Sequence, residues 1–284
     1  MRFAGAASAG PVQRWGEMNM QLTCVQLWFR LYLKSQAKIM FPNWLQSSLP
    51  REILNEKYLK ISFSQNGEDD FIRGYFWNDI LAGYKGTYLD MGCYHETLYS
   101  NTKLLNLIGW RGIAVDANPD LEQPWLEARP QDHFLNRCIS PLGEVIQGLE
   151  FFRFQDGAMS TVNPERAQQL VNEGWVLRDR FQVPAISLAA LAKLVIAQGI
   201  SHLDLVSIDL EMVNFLSDLP AFLKELRPRL LCMECVTDLV NLQNLFSSDE
   251  SDRLVEAGYE PIALIGGNIF AIPQQTSPAV VLFG

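Results

Sequence analysis

Apolar and polar positions alternate along the chain with two different periods from about residue 61 onward. Short apolar runs bounded by glycine, proline or aspartate predict buried strands, and apolar residues three and four positions apart predict helices. The predicted strands cover residues 86–90, 112–116, 133–139, 148–154, 203–209, 229–234, 259–265 and 268–272. The predicted helices cover residues 98–108, 119–129, 163–173, 187–198, 219–226 and 249–257, and another helix opens at Asn66, which can cap it.

Strands that alternate with helices predict an α/β fold with a doubly wound, mostly parallel sheet covered on both faces. We expect the strand over residues 148–154 to pair outside the main order, which leaves a seven-stranded sheet. The last two predicted strands are joined by Gly266-Gly267, so they should form a C-terminal antiparallel hairpin. Such a sheet binds its ligand at the carboxyl ends of the strands, where the strand order reverses.

The first 60 residues differ in pattern from the rest, and Pro42 and Pro50 punctuate the stretch before residue 60. We therefore predict an N-terminal helical extension over residues 1–60 and one main domain over residues 61–284. Residues 22–40 are apolar but contain three basic residues at spacings of four, which share one helix face. This pattern predicts an amphipathic helix. The helix either packs on the main domain or binds a membrane surface or a protein partner, and that partner can be a second copy of the chain. It does not predict a membrane span.

Charge narrows the function classes. The chain has 284 residues, 48% of them hydrophobic, with 23 lysines and arginines against 32 aspartates and glutamates, a net charge of −9. A nucleic-acid-binding protein carries a basic surface instead, so we expect no nucleic-acid partner. Five cysteines are few and odd in number, which favours reduced thiols over a secreted disulfide framework. The apolar stretch within the first residues is too short and too rich in alanine and glycine for a signal peptide. We therefore expect a cytoplasmic protein.

Acidic residues stand at the carboxyl ends of the first two predicted strands. Asp90 ends the first and Asp116 ends the second, about one βαβ unit apart. An acid at the end of the second strand holds the ribose of a nucleotide cofactor in this fold class. Asp116 is therefore the predicted ribose ligand. Taken alone, Asp90 is also compatible with a turn or a helix cap.

The first turn separates two classes of cofactor. A site for a nicotinamide dinucleotide needs Gly-x-Gly-x-x-Gly, so that backbone N–H groups at a helix N-terminus can contact the pyrophosphate. This turn holds only Gly92, and the carboxylate of Asp90 beside it would repel phosphates. S-adenosylmethionine carries no phosphate, and its sulfonium and ammonium groups are attracted by an acid. The turn therefore favours S-adenosylmethionine and disfavours the competing hypothesis, a nicotinamide oxidoreductase.

A third strand end carries two acids, Asp209 and Glu211. Because they are two residues apart, both point to one face of an extended chain. At the carboxyl edge of the sheet, either carboxylate can face a cofactor amine or act as a general base toward a substrate hydroxyl. His95, in the loop after Gly92, is a further candidate base, or a surface histidine. Solvated acids that cap helices are the alternative interpretation of each acid taken singly.

A series of short motifs covers residues 61–272 in a fixed order. They are Ser64-Gln65-Asn66-Gly67-Glu68-Asp69, Tyr88-Leu89-Asp90-Met91-Gly92-Cys93-Tyr94, Ser100-Asn101-Thr102, Gly109-Trp110-Arg111-Gly112-Ile113, Asn118-Pro119, Arg129-Pro130 with Asp132, Ser160-Thr161, Ser207-Ile208-Asp209-Leu210-Glu211 and Arg227-Pro228. Together they resemble the FkbM family of S-adenosylmethionine-dependent methyltransferases. The resemblance implies a Rossmann-like methyltransferase fold and O-methylation of a hydroxyl on a sugar or other small molecule. It places Asp90, Gly92, Cys93, Asp116 and Asn118 at the cofactor.

One position departs from the family pattern. The family usually has glycine after the acid of the Ile-Asp-x-Glu element, and this chain has Met212. Methionine adds a flexible side chain there, which narrows a pocket or changes the acceptor. The alternative hypothesis is a catalytically degenerate protein of the same fold that still binds the cofactor.

No spacing of cysteine or histidine indicates a metal site. Cys232 and Cys235 form Cys-x-x-Cys, but on a predicted strand this separation puts the thiols on opposite faces. The three histidines have no ligand spacing. We therefore expect a site built from carboxylates and backbone groups, with S-adenosylmethionine as the cofactor and a small-molecule or saccharide acceptor as the partner.

Overall fold

The structure is a computed structural model that describes residues 60–140, 148–200, 202–210, 213–235 and 248–274. The chain divides into two compact units, Met1–Ile61 and Ser62–Gly284, and the second holds the features described below. The helical extension and amphipathic helix predicted within residues 1–60 fall almost wholly outside the described residues, so they stay predictions.

Strands and helices alternate through most of the second unit. The strands are β1 (Thr87–Met91), β2 (Arg111–Asp116), β3 (His133–Asn136), β4 (Cys138–Ile139), β5 (Leu149–Phe154), β6 (Leu177–Val183), β7 (Ala185–Ile186), β8 (Leu205–Ile208), β9 (Leu230–Glu234), β10 (Tyr259–Ile265) and β11 (Asn268–Pro273). The α-helices are α1 (Glu68–Tyr75), α2 (Trp77–Leu81), α3 (Lys103–Leu107), α4 (Glu122–Ala128), α5 (Pro164–Asn172), α6 (Leu188–Ala197), α7 (Leu219–Leu226) and α8 (Asp249–Glu256).

Seven of these strands form the central sheet, in the order β3-β2-β1-β8-β9-β11-β10. The pairs from β3 to β9 are parallel, and β11 runs antiparallel to both of its neighbours. The prediction of a doubly wound, mostly parallel, seven-stranded sheet with a C-terminal antiparallel hairpin is confirmed, and the fold is Rossmann-like. The strand order reverses between β1 and β8, which is where this class of sheet binds ligands.

The main core lies around the centre of the sheet. Strands β1 and β8 contribute Leu89, Met91, Val206 and Ile208, all inaccessible to solvent or nearly so. Helices α6 and α7 cover this side with leucine, valine and phenylalanine side chains from the same core. Burying each side chain of this size contributes about 1.5–3 kcal/mol. The two strands that flank the reversal point are therefore rigidly fixed.

Two predicted elements have different bounds in the structure. The helix predicted over residues 98–108 begins only at Lys103, because Tyr99 adopts a positive φ of 58° that breaks the helical path. The strand predicted over residues 133–139 divides at Arg137, whose backbone N–H makes a last bond to the carbonyl oxygen of Asp116 on β2 (2.9 Å). The next N–H, that of Cys138, donates to the carbonyl oxygen of Pro184 (3.0 Å), so β4 leaves the central sheet and pairs with β7.

Strands β6 and β7 were not predicted from the sequence. Strand β6 alternates polar and apolar residues, but most of its side chains are exposed, so its apolar signal is weak. It pairs antiparallel with β5 in a separate two-stranded sheet, which confirms that β5 lies outside the main order. The predicted cap at Asn66 was wrong. Gly67 is the N-cap of α1, with φ 88°, and the Asn66 amide instead donates to Glu68 (3.2 Å).

Candidate functional site

A cavity of about 400 Å³ opens at the carboxyl edge of the central sheet, at the point where the strand order reverses. The segments that follow β1, β2, β3 and β8, the end of β9 and the segment after β5 form its walls. The lining residues are Gln65, Gly92, Tyr94, Tyr99, Val115, Asp116, Ala117, Asn118, Arg137, Cys138, Ile139, Phe151, Asp156, Gly157, Ala158, Met159, Ser160, Thr161, Val162, Asp209, Leu210, Phe215 and Glu234.

Gly92 allows the first turn to lie directly against the end of β8. Its φ is 74°, and a Cβ atom there would stand 1.8 Å from the carbonyl oxygen of Asp209. The Gly92 N–H donates to the carbonyl oxygen of Val115 (2.9 Å), and the Asp209 N–H donates to that of Met91 (2.9 Å). Only glycine fits this close approach with this conformation. Glycine at position 92 thus holds the ends of β1 and β8 together at the wall of the cavity.

The carboxylate of Asp116 bridges the two turns that border the cavity. Its Oδ2 accepts the backbone N–H of Tyr94 (2.9 Å), and its Oδ1 accepts that of Asn118 (2.8 Å). The pKa of Asp116 is raised to about 6, mainly by burial; the backbone hydrogen bonds from Asn118 and Tyr94 oppose this shift, and the charge of Asp90 adds to it. Each carboxylate oxygen has two lone pairs, so both can accept a further hydrogen bond from a ligand.

Asn118 is a buried polar residue of the same wall. Its side-chain oxygen accepts the backbone N–H of Asp120 (3.1 Å) and caps the short 3₁₀ helix Pro119–Leu121. The amide of Asn136 donates to the carbonyl oxygens of Asp116 (3.1 Å) and Ala117 (2.9 Å), which fixes the turn from below. The end of β2 is therefore held by side-chain contacts on both sides.

Two further carboxylates line the cavity at the ends of β8 and β9. Asp209 follows β8, is exposed and lines the cavity, and Glu234, the last residue of β9, lines it as well. Asp209 and Glu234 lie at the same edge because β8 and β9 are parallel, and parallel strands bring their carboxyl ends to one edge of the sheet. Glu211 and Met212 lie outside the described residues, and their predicted roles stay predictions.

Asp90 lies behind the cavity and is not one of its lining residues. It is 4% exposed, and its Oδ2 accepts the hydroxyl of Thr102 (2.6 Å). Burial raises the pKa of this carboxyl, and the Thr102 hydrogen bond opposes the shift. Asp90 can influence a cationic ligand through its charge, without direct contact in this arrangement. Its predicted role at the cofactor stays a prediction.

Cys93 and His95 are also outside the cavity lining. Cys93 is buried against Trp125 and Phe134, and burial raises the pKa of its thiol well above the ordinary value. The Nδ1 atom of His95 accepts the backbone N–H groups of Thr97 (3.0 Å) and Leu98 (3.2 Å). These contacts shape the loop after β1, and neither predicted role is tested by them.

A buried polar cluster supports the loop after β1 from below. We use this name for Asp90, Ser100, Thr102, Arg129 and Asp132, each at most 7% exposed. The guanidinium of Arg129 donates to the hydroxyls of Ser100 (2.6 Å) and Thr102 (2.9 Å) and lies 3.6 Å from the Asp132 carboxylate.

Further contacts tie this cluster to its surroundings. The Arg129 guanidinium stacks 4.2 Å above the ring of Trp125, whose indole N–H donates to the carbonyl oxygen of Tyr94 (3.0 Å). Asp132 accepts the Tyr88 hydroxyl (2.7 Å) and the Gly112 N–H (3.0 Å). The loop is therefore attached to β1, β2 and α4.

Three residues that line the cavity, Tyr94, Tyr99 and Asp156, are not among the predicted site residues. The rings of the two tyrosines are stacked, with centroids 6.4 Å apart and planes 18° apart. Asp156 belongs to the segment after β5, in which Ser160-Thr161 had been noted only as a motif. The signal that could have found the tyrosines is the presence of two aromatic residues in the loop after Gly92.

Comparisons with known proteins add little to this geometry. No protein-family model matches the chain, and no curated protein matches it. Among solved structures, the chain is similar to the fibrillarin pre-rRNA processing protein of Methanococcus jannaschii, with 10% identity, a TM-score of 0.37 and 67% of each chain covered. A similarity of this degree identifies no activity, and the fold assignment rests on the strand order described above.

Among the described residues, no helix is long and apolar enough to cross a membrane. In the same ranges, no group of three or more histidine, cysteine, aspartate and glutamate side chains is arranged to hold a metal ion.

Proposed function

We propose that the protein is an S-adenosylmethionine-dependent methyltransferase that transfers a methyl group to a hydroxyl of a sugar or small-molecule natural product. The observation that carries this proposal is the cavity at the reversal point, where the Gly92 turn meets the Asp116 carboxylate. The motifs that resemble the FkbM family fall on the same strand ends. Localisation in the cytoplasm belongs to the same proposal.

The cavity fits this cofactor better than a dinucleotide. Four carboxylates line it, those of Asp116, Asp156, Asp209 and Glu234, with Arg137 as the cation among the described lining residues. A pyrophosphate would meet these negative charges without a glycine-rich helix N-terminus to offset them. A sulfonium and an ammonium group are attracted by the same charges, at an energy that is larger in a partly buried site than in water.

Each cofactor-binding residue has a distinct task in this proposal. The Asp116 carboxylate accepts the ribose hydroxyls through its remaining lone pairs, as acids at this position do in nucleotide-binding sheets. Gly92 lets the first turn lie against the end of β8 at the cavity wall, and Asn118 closes the wall beyond β2. Asp90 contributes a buried negative charge behind the turn.

Bound S-adenosylmethionine supplies an electrophilic methyl group, which the acceptor oxygen takes while the carbon–sulfur bond breaks and its electron pair stays on sulfur. The protein's main contribution is to place the acceptor oxygen in line with that methyl group, because positioning supplies much of the rate. The proton of the hydroxyl must also leave. Asp209 and Glu234 are the carboxylates at the cavity that can accept it.

The first experiment compares S-adenosylmethionine, S-adenosylhomocysteine and NAD by calorimetry on the full chain. We expect saturable binding of the first two and none of NAD. Saturable NAD binding with no response to S-adenosylhomocysteine would reverse the assignment. The second experiment measures S-adenosylhomocysteine formation against a panel of sugars and hydroxylated metabolites. Cofactor binding without turnover of any acceptor would favour the catalytically degenerate alternative.

A further inference from the structure

The stacked pair of Tyr94 and Tyr99 forms an aromatic surface inside the cavity. Both side chains are lining residues, and their ring separation lies in the range of favourable offset stacking. Tyr99 is 56% exposed, so the pair faces the open part of the cavity. The Gly92 turn and Asp116 lie deeper, at the strand ends. The aromatic pair is therefore available to a second ligand that enters beside the cofactor.

The loop that carries this pair is held by its surroundings in an uncommon backbone conformation. Tyr94 has φ 46° and Tyr99 has φ 58°, values that are rare for residues with bulky side chains. The Ser100 N–H donates to the carbonyl oxygen of Phe63 (3.1 Å), and the Trp125 indole holds the carbonyl of Tyr94. The buried polar cluster fixes the loop beneath. The backbone that carries the two rings is thus held in place by these contacts.

A carboxylate lies beside this aromatic surface. Asp156 lines the cavity, its Oδ1 accepts the backbone N–H of Ala158 (3.1 Å), and its charge raises the pKa of the Tyr94 hydroxyl together with burial, the larger cause. The next residue, Gly157, is so close to the tyrosine that a Cβ there would lie 3.1 Å from Cε2 of Tyr94. The segment after β5 therefore places a negative charge at the edge of the aromatic pair.

Aromatic faces next to a carboxylate bind cations. A ligand ammonium over a tyrosine ring is attracted by the ring quadrupole, and a carboxylate adds a charge-assisted hydrogen bond. The described lining holds four carboxylates against the guanidinium of Arg137, whose Nη1 donates to the carbonyl oxygen of Asn136 (2.7 Å). The cavity as a whole therefore favours a positively charged ligand over an anionic one.

We propose that Tyr94, Tyr99 and Asp156 form a subsite for a protonated amine of the acceptor, so that the preferred acceptor is a hydroxyl compound that also carries an ammonium group. This inference rests on the proposed methyltransferase function and narrows its acceptor class. The ammonium binds between the Asp156 carboxylate and the tyrosine rings. The hydroxyl to be methylated then lies toward Asp209 and Glu234, on the side of β8 and β9.

The test uses two pairs of probes that differ in charge and little in shape: glucosamine with N-acetylglucosamine, and tyramine with N-acetyltyramine. Ligand-observed NMR titrations on the full chain give dissociation constants with and without S-adenosylhomocysteine. We expect at least one amine to bind about tenfold or more tightly than its acetylated partner. Asp156→Asn and Tyr99→Leu should remove this preference. Asp156→Asn keeps the side-chain oxygen that caps Ala158, so its fold should be intact.

The control variant is Trp175→Leu, an exposed aromatic residue outside the cavity lining, which should keep the preference. Equal binding of amine and acetylated probes, or no binding of any of the four, would overturn the subsite. A tenfold loss of S-adenosylhomocysteine affinity in Asp156→Asn would assign the site to the cofactor's own ammonium and also overturn it. If the unmodified protein binds the amines but not S-adenosylhomocysteine, the proposed function fails while the amine site stands.

Discussion

Gly92 is the residue at which backbone conformation and the candidate site depend most directly on each other. We expect Gly92→Ala to destabilise the fold by more than about 1 kcal/mol, because the new Cβ meets the Asp209 carbonyl and alanine is strained at this φ. Urea unfolding measures the change. The matched control is Gly174→Ala, where φ is also positive (95°) but no atom lies within 4 Å of the added Cβ. Equal losses in both variants would show that the close approach to β8 has no energetic consequence.

Asp116 makes cofactor binding depend on pH. Its pKa is raised to about 6, and the ionised form accepts ligand hydroxyls better than the protonated form. S-adenosylhomocysteine affinity should therefore fall as the pH is lowered through about 6, and calorimetry between about pH 5 and 8 measures it. Asp116→Asn should flatten this profile, and Asp116→Ala should weaken binding by about 1–3 kcal/mol. A wild-type profile without an inflection near 6, or unchanged affinity in Asp116→Ala with intact circular dichroism, would remove Asp116 from the site.

The raised pKa of Asp116 also affects stability, with a defined sign. Between the unfolded pKa near 4 and the folded value of about 6, the folded state binds more protons than the unfolded state. The contribution of this carboxyl to the free energy of unfolding is therefore fully present at low pH and is lost as the pH rises through about 6. Asp116→Asn should remove this dependence as well.

Residues at the site differed in how far the sequence could predict them. Gly92, Asp116 and Asp209 follow predicted strands, so the parallel order alone brings them to one edge. Tyr99 and Asp156 come from loops more than fifty positions apart in sequence, and nothing local indicates that they share a cavity. The position of Asp90 behind the turn could not be predicted from the sequence either. Strand periodicity shows which residues share a face of the sheet, but it does not show on which face the Thr102 hydroxyl meets Asp90.

At the scale of elements, Arg129 joins the end of α4 to the loop after β1. Arg129→Met should destabilise the fold by about 3–5 kcal/mol, because the buried carboxylates of Asp90 and Asp132 lose the cation near them. Denaturant unfolding measures the change. The matched control, Arg253→Met, removes an exposed ion pair with Glu256 on α8 and should cost about 1 kcal/mol or less. Similar losses in the two variants would mean that the buried polar cluster does not hold the loop.

Whether an element was predictable depended on how strongly it is buried. Strands β1, β8 and β9 are buried on both faces and read as apolar runs in the sequence. Strand β6 belongs to a two-stranded sheet, and most of its side chains are exposed. Several of them are charged, so the sequence of β6 shows no apolar run. The start of α3 was wrong because a positive φ at Tyr99 is set by tertiary contacts rather than by helix propensity.

For the whole molecule, the predicted boundary near residue 60 can be tested by truncation. A fragment of residues 60–284 should unfold cooperatively and bind S-adenosylhomocysteine like the full chain, because it keeps Ser62, Phe63 and Ser64. These residues give the buried Asp69 carboxylate three donors, at 2.6, 2.7 and 2.9 Å.

A fragment of residues 66–284 is the control for this truncation. It lacks all three donors to Asp69 and should be less stable by about 1–3 kcal/mol or more. Thermal unfolding compares the two fragments with the full chain. If the longer fragment is as unstable as the shorter one, the main domain begins earlier than residue 60.

The position of β11 has a consequence for synthesis on the ribosome. Strand β11 lies between β9 and β10, although it is the last strand described in the chain. Until it is synthesised, one hydrogen-bonding edge of β9 has no partner, and such edges pair readily with other chains. Asn268 at its start also donates to the buried Glu68 near the beginning of the domain (3.2 Å). The β9 edge of the nascent domain therefore stays unpaired until residues 268–273 have left the ribosome, and this edge is open to other chains and to chaperones during that time.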